Sequence, residues 1–279
     1  MKNPLQVDFT GKVVVITGAG GVLCSAIAKA VGRTGAKVAL LGRTLSKLQV
    51  VEAEISAEGG IAKSYACDVL DKASLEAAHE EILAELGPCD ILLNGAGGNN
   101  PIATTDQEFY TPDAQGKTFF TLEQNAVESV FSLNFMGTIL PSQVFAQDMV
   151  GRKGCSILNI SSMNAYTPLT KIPAYSGAKA AISNLTQWMA THFSKVGIRC
   201  NAIAPGFFAT EQNHKLLFNE DGTLSERSGK ILRNTPMDRF GKPEELIGAC
   251  LFLMCEEASG FVNGVIIPID GGFCAYAGV

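Results

Sequence analysis

The chain has 279 residues, of which 47% are hydrophobic and 18% charged, with a formal net charge of -5. That composition supports a large apolar core and argues against a disordered chain. No cluster of Lys or Arg offers a footprint for nucleic acid or an anionic membrane, no stretch approaches about 20 apolar residues, and the first residues lack a signal-peptide pattern, so a cytoplasmic protein is expected.

The first apolar run, Val13–Thr17, ends at Thr17-Gly18-Ala19-Gly20-Gly21-Val22-Leu23-Cys24, and a helical run, 25–31, follows. A glycine-rich turn between strand and helix lets backbone N–H groups approach a pyrophosphate at the positive helix end. Glycines also serve any tight strand-to-helix turn, so the motif alone leaves a purely structural reading open.

The second run, 38–41, leads into Gly42-Arg43-Thr44. A dinucleotide site selective for NAD places a carboxylate here, and this chain has none. Arg43 can instead pair with a 2′-phosphate, aided by the hydroxyls of Thr44 and Ser46, or it can simply be solvated while Thr44 caps the next helix. The residues favour NADP, with NAD as the alternative. Leu45, Leu48, Val51 and Ile55 recur at helical steps up to Gly59-Gly60.

A third run, 61–67, precedes Asp68-Val69 and a helix capped by Asp71, with Leu75, Ala78, Ile82 and Leu86 on one face and Gly87-Pro88 as its stop. A fourth, 91–94, runs into Gly95-Ala96-Gly97. Residues 99–122 are then polar and aperiodic. A helical stretch over 126–140 carries Asn134.

The fifth run, 156–160, is followed by Ser161-Ser162, and thirteen positions after Ser162 comes Tyr175-Ser-Gly-Ala-Lys179. Residues four apart on a helix share a face, so a phenol and an ammonium can enter one pocket. A cation beside a phenol favours the phenolate; bringing its pKa from about 10 to about 7 requires about 4 kcal/mol of differential stabilisation. A lone Tyr-x-x-x-Lys is also a common exposed helix pair.

Runs at 199–204 and 265–269 complete the pattern, separated by a second irregular segment, 207–240, with a turn at Asp221-Gly222. Apolar runs without polar alternation, separated by helices, predict one α/β domain over 1–279: a doubly wound, seven-stranded parallel sheet of the Rossmann type with helices on both faces. Irregular segments of that length usually cover a site. The eight cysteines form no C-x-x-C pair, so small buried thiols are expected and neither a disulfide frame nor a metal site is. His79 and His192 are expected to be structural or solvated, and Trp188, Met189 and Phe193 to be core or subunit interface.

These motifs, in this order, resemble the short-chain dehydrogenase/reductase family along essentially the whole chain. The family's T-G-x-x-x-G-x-G is met at Thr17 and Gly18, but Val22 and Cys24 stand where its later glycines are expected. Its N-N-A-G turn is met by Asn94, Ala96 and Gly97, with Gly95 replacing the second Asn. Asp68, Pro205-Gly206, Thr210 and Asp270-Gly271-Gly272 match further family positions.

The resemblance implies an oxidoreductase in which Tyr175 exchanges a proton with the substrate oxygen, Ser162 polarises that oxygen, Lys179 tunes Tyr175 and holds the nicotinamide ribose, and Asn134 positions a water. No metal is needed. It implies cofactor contacts from Thr17, Gly18, Gly20, Gly21, Val22, Arg43, Thr44, Asp68, Val69, Asn94, Ala96, Gly97, Tyr175, Lys179, Pro205, Gly206 and Thr210, and a homo-oligomer, commonly a tetramer.

Segments 94–100, 161–175 and 204–213 further resemble the bacterial sugar-acid branch that interconverts D-fructuronate and D-mannonate. Asn99, Asn100, Asn164, Lys171, Gln212, Asn213, His214 and Lys215 are the polar residues offered for such a substrate, although polar loop residues are as often only solvated. A reductase of 3-oxoacyl or other apolar carbonyl compounds is the alternative, supported by Phe207, Phe208, Leu216, Leu217 and Phe218. A non-catalytic nucleotide sensor ranks last because all four tetrad positions are present.

Overall fold

The computed structural model describes residues 6–113, 115–210 and 217–278. Seven parallel strands form one sheet in the order β3-β2-β1-β4-β5-β6-β7: β1 Val13–Thr17, β2 Lys37–Gly42, β3 Ile61–Ala66, β4 Ile91–Asn94, β5 Cys155–Ile160, β6 Ile198–Pro205 and β7 Ile266–Ile269.

The strands lack polar alternation because both faces are covered. Val14 and Ile16 of β1 pack into one cluster with Ile27 and Val31 of α1 (Val22–Gly32) and with Leu48 and Ile55 of α2 (Leu45–Ala57). Val13 and Val15 face the opposite cluster, with Leu75 and Ile82 of α3 (Lys72–Glu85) and Phe145. Successive strand side chains point to opposite faces, so one apolar run serves two layers.

Asp71 caps α3 as expected, accepting from the Ala73 and Ser74 amides at 3.0 and 3.3 Å. Thr44 stands at the start of α2, but its side chain makes no capping bond. Asn134 lies where α4 (Gln124–Phe131) gives way, through the π-helical turn Ser132–Met136, to α5 (Gly137–Phe145), so the expected 126–140 helix is bent in its middle. The π turn widens the ladder at this point, as such bulges often do at functional sites.

Further along, α6 (Pro173–His192) carries Tyr175 and Lys179. Within the second irregular segment, Gly222 has a φ of +82° beside Asp221, confirming the turn, and α7 (Glu226–Arg233) follows. Helices α8 (Ile247–Met254) and α9 (Glu256–Ser259) precede β7. Seven of the cysteines are buried and Cys274 is half-buried. Among the described residues, no helix is long and apolar enough to cross a membrane.

The order reverses direction between β1 and β4, so the loops leaving these two strands part to opposite sides and open a crevice at their carboxyl ends. The turns after β5 and β6 end beside it.

Candidate active site

A cavity of about 340 Å³ lies in this crevice, lined by Gly18, Gly21, Val22, Leu23, Cys24, Gly95, Ala96, Gly97, Gly206, Phe207, Phe208 and Thr210. Gly18 must be glycine twice over. Its φ is +67°, and a Cβ there would lie 2.9 Å from both the Ala96 nitrogen and the Gly95 carbonyl oxygen. Val22 is no obstacle to a phosphate loop, because it is the first residue of α1, where the backbone is helical. Gly21 caps that helix with no side chain, which leaves the first-turn amides on the cavity wall.

Several expected cofactor contacts work from behind the wall. Thr17 is fully buried, and its hydroxyl accepts from the Gly95 and Ala96 amides at 3.0 and 3.2 Å, fixing the turn after β4. Asn94 is also buried and donates to Ser142 Oγ and Asn159 Oδ1, each at 2.9 Å, so its amide points into the sheet and away from the cavity. Val69 is buried, and a Cβ on Gly137 would lie 3.1 Å from its Cγ2. Asp68 accepts from the Leu70 amide at 3.0 Å at the end of β3. Arg43 and Thr44 are exposed at the end of β2. Gly206 approaches β7 so closely that a Cβ would lie 2.6 Å from the Asp270 Cα.

The chemical residues meet this cavity at Gly97. A Cβ at Gly97 would lie 2.7 Å from Asn134 Oδ1 and 3.3 Å from Lys179 Nζ, so the cavity wall passes directly over the buried amide and ammonium. Asn134 donates to the Gly98 and Val130 carbonyls at 2.7 and 2.8 Å and accepts from the Gly98 amide at 3.2 Å. Its first structural duty is therefore to tie the bent helix to the β4 turn. A nicotinamide dinucleotide fits here: the glycine cradle and helix start suit a pyrophosphate, and the buried cation lies at the other end of the wall.

Lys179 is 4% exposed, and its ammonium donates to the Ile160 carbonyl at 2.8 Å while standing 5.5 Å from the Tyr175 ring centroid. Burial holds the Lys179 pKa down at about 8. Burial likewise pushes the Tyr175 phenol up to about 12, with a hydrogen bond to Ser162 pulling the other way. Desolvation therefore outweighs the lowering expected from the cation, whose ammonium donates at the end of β5.

Of the two adjacent serines, Ser161 binds the Lys179 carbonyl at 3.1 Å and Ser183 at 2.8 Å, so it anchors α6. Ser162 is the one beside the phenol. Asn164, offered for substrate, is buried behind Ser162. It donates to the Ser162 hydroxyl at 3.2 Å and accepts from the Leu169 amide at 3.3 Å. Asn100 is similarly spent on Ser129 and its own turn at Ile102, and Asn99 on Thr104. Gln212, Asn213, His214 and Lys215 lie outside the described residues.

A second cavity, of about 450 Å³, is lined by the segment Thr167–Ile172 that joins the Ser162 turn to the Tyr175 helix, by Phe207, Phe273 and Glu108, and by α7. Phe207 lines both cavities and packs edge-on against Phe273, with centroids 5.5 Å apart. Lys171 is on this wall.

A family model described as short chain dehydrogenase matches residues 12–221. The chain belongs to the short-chain dehydrogenase family. Members of that family are oxidoreductases acting on CH–OH groups. An uncharacterised oxidoreductase of Haemophilus influenzae is 57% identical over 274 residues, covering 98% of this chain and 96% of the relative. Gluconate 5-dehydrogenase of Gluconobacter oxydans is 32% identical over 272 residues, covering 98% of each chain. Among solved structures, one from Haemophilus influenzae assigned as a candidate D-mannonate oxidoreductase with bound NAD superposes with a TM-score of 0.96 at 56% identity, covering 99% of each chain.

Sequence reasoning about this dehydrogenase missed Arg227 and Arg233, which line the second cavity. The signal was present: Arg227, Lys230 and Arg233 recur every three residues after a capping Ser225. Without a known position for the helix, such a row reads as a solvated face.

Proposed function

We propose that the protein is an NAD(P)-dependent dehydrogenase interconverting a secondary alcohol and a ketone on a sugar acid of the D-mannonate/D-fructuronate class. The observation that carries the substrate reading is the charge of the larger cavity, whose wall holds more cations than carboxylates on a chain that is acidic as a whole. The similarity to a candidate D-mannonate oxidoreductase and to gluconate 5-dehydrogenases supports it. So does a gluconate 5-dehydrogenase structure from Burkholderia cenocepacia containing NADP and tartrate, with a TM-score of 0.84 at 28% identity, covering 99% of this chain and 100% of that one.

When bound, the nicotinamide cofactor supplies or takes up the hydride. The protein's part is to move the proton and hold the oxygen. With its pKa near 12, Tyr175 is protonated at neutral pH and in the form that donates to a forming alkoxide. Ser162 gives that oxygen a second hydrogen bond as charge develops. Lys179, mostly protonated below about pH 8, stabilises the phenolate left behind and reaches the ribose side of the cavity. Asn134 keeps the Gly97-Gly98 wall in register and holds a water on the path from Lys179. Glycines 18, 20 and 21 and the start of α1 take the pyrophosphate; Ala96, Gly97, Gly206 and Thr210 flank the nicotinamide. Arg43, free of a charged partner among the described residues, favours a 2′-phosphate and hence NADP, with NAD also accepted.

Nicotinamide absorbance with D-mannonate, D-fructuronate, gluconate and a 3-oxoacyl thioester tests this reading. Turnover of the sugar acids is expected. Activity confined to the thioester would refute it. A homotetramer is the assembly proposed, checked by light scattering; exposed Trp188 and Phe261 are apolar surface of the kind subunits cover.

A further inference from the structure

Four side chains on the wall of the larger cavity are cationic, Lys171, Arg227, Lys230 and Arg233, against two carboxylates, Glu108 and Glu226. Both carboxylates are committed to the same cation. Lys230 Nζ lies 2.9 Å from Glu108 and 3.6 Å from Glu226. Among the described residues, Lys171, Arg227 and Arg233 have no carboxylate within ion-pair distance, so their positive charge is left for something else.

The arrangement is held from both sides. On α7, residues three apart share a face, which aligns Arg227, Lys230 and Arg233. Ser225 caps that helix by accepting from the Ser228 amide at 3.2 Å, and buried Ser228 donates to the Leu217 carbonyl at 2.5 Å. Lys171 comes from the segment just before α6, where its carbonyl accepts from the Thr105 amide at 2.9 Å. The Glu108–Lys230 pair, both on the cavity wall, then ties residues 99–122 to α7.

We propose that Arg227 and Arg233, with Lys171 facing them, form the carboxylate-binding end of the substrate site, while the Glu108–Lys230 pair straps the two irregular segments together over it. A guanidinium presents two parallel N–H donors that match a carboxylate, and a planar fork is better suited to this than an ammonium. The carboxylate would lie beyond Phe207, with the reacting carbon on the Tyr175 side. This assignment deepens the sugar-acid reading and rests on it for the identity of the substrate.

The test uses full-length protein loaded with cofactor, with Arg227 and Arg233 both changed to Gln and, separately, both changed to Lys. Steady-state kinetics on D-mannonate and calorimetric titration with tartrate, which need not turn over, are the readouts. Removing both guanidinium groups is expected to raise KM and weaken tartrate binding by at least about tenfold, with kcat within about twofold and cofactor affinity unchanged. The Lys pair should recover part of the loss, and wild-type affinity should fall with added salt. Unchanged KM and tartrate affinity in the Gln pair would overturn the assignment, as would wild-type protein that binds neither acid. Acids that bind through these arginines but are never oxidised would leave the anion site standing and reject the reaction proposed above.

Discussion

The Cys24 thiol occupies the space that a side chain at position 95 would need. A Cβ built on Gly95 collides with Cys24 Sγ, and the thiol sits 3.8 Å from the Gly95 carbonyl oxygen. Cys24 stands where the family pattern has glycine and Gly95 where it has asparagine, so two departures that look separate along the chain are one exchange of volume across the crevice. Packing at this density makes such exchanges reciprocal.

That exchange predicts non-additivity. Gly95→Ala alone should destabilise the protein by about 1–3 kcal/mol through overpacking, and Cys24→Gly in the same chain should recover at least about 1 kcal/mol relative to the sum of the single changes. Recovery is expected to be incomplete, because the added Cβ would also lie 2.9 Å from the Thr17 carbonyl. Urea unfolding of the four chains measures this, and strictly additive values would disprove the link.

Tyr175→Phe should lower kcat by about 10²- to 10⁴-fold, the usual contribution of a positioned acid or base. Cofactor affinity, read by fluorescence titration, should stay within about twofold. A variant that keeps most of its turnover would remove Tyr175 from the proton path.

Burial of Lys179 has a stability signature. Its folded pKa of about 8 lies below the ordinary 10.5, so between those values the unfolded chain binds the extra proton and stability rises with pH. Below about pH 8 both states are protonated and the folded state carries the full cost. Relative to Lys179→Met, wild-type protein should therefore gain up to about 3 kcal/mol as pH rises across that window. Denaturant curves at about pH 7.5 and about pH 9.5 compare the two chains, and parallel behaviour would mean that the ammonium is not desolvated.

Arg43 is exposed at the end of β2, where the adenosine ribose would lie. Arg43→Ala should weaken NADP binding by about tenfold and leave NAD binding nearly unchanged. Equal effects on both cofactors would mean that the guanidinium is merely solvated.

Local chain geometry made much of this legible. Strands buried on both faces must be apolar without alternation, and each of the seven expected runs became a strand, with boundaries differing by a residue or two. Residues four apart on a helix share a face wherever the helix lies, so Tyr175 and Lys179 could be paired from spacing alone. Gly18 was readable because its backbone conformation admits little else.

What spacing leaves open is the destination of each side chain. Thr17 and Asn94 belong to the cofactor motifs, yet both turn inward, because the groups they bond lie in the turn after β4, on α5 and on β5. Lys179 lies near Tyr175 as its spacing requires, but its ammonium donates to the Ile160 carbonyl at the end of β5. Arg227 and Arg233 come to line a cavity only when α7 is laid against the segment that carries Lys171. The sequence by itself determined which elements form and which residues share a face, since those follow from the repeat of a helix or strand. Which faces meet, and so which charges remain unpaired in a cavity, was decided only by the packing of distant segments, where a hydrogen bond or a collision depends on coordinates that no local repeat encodes.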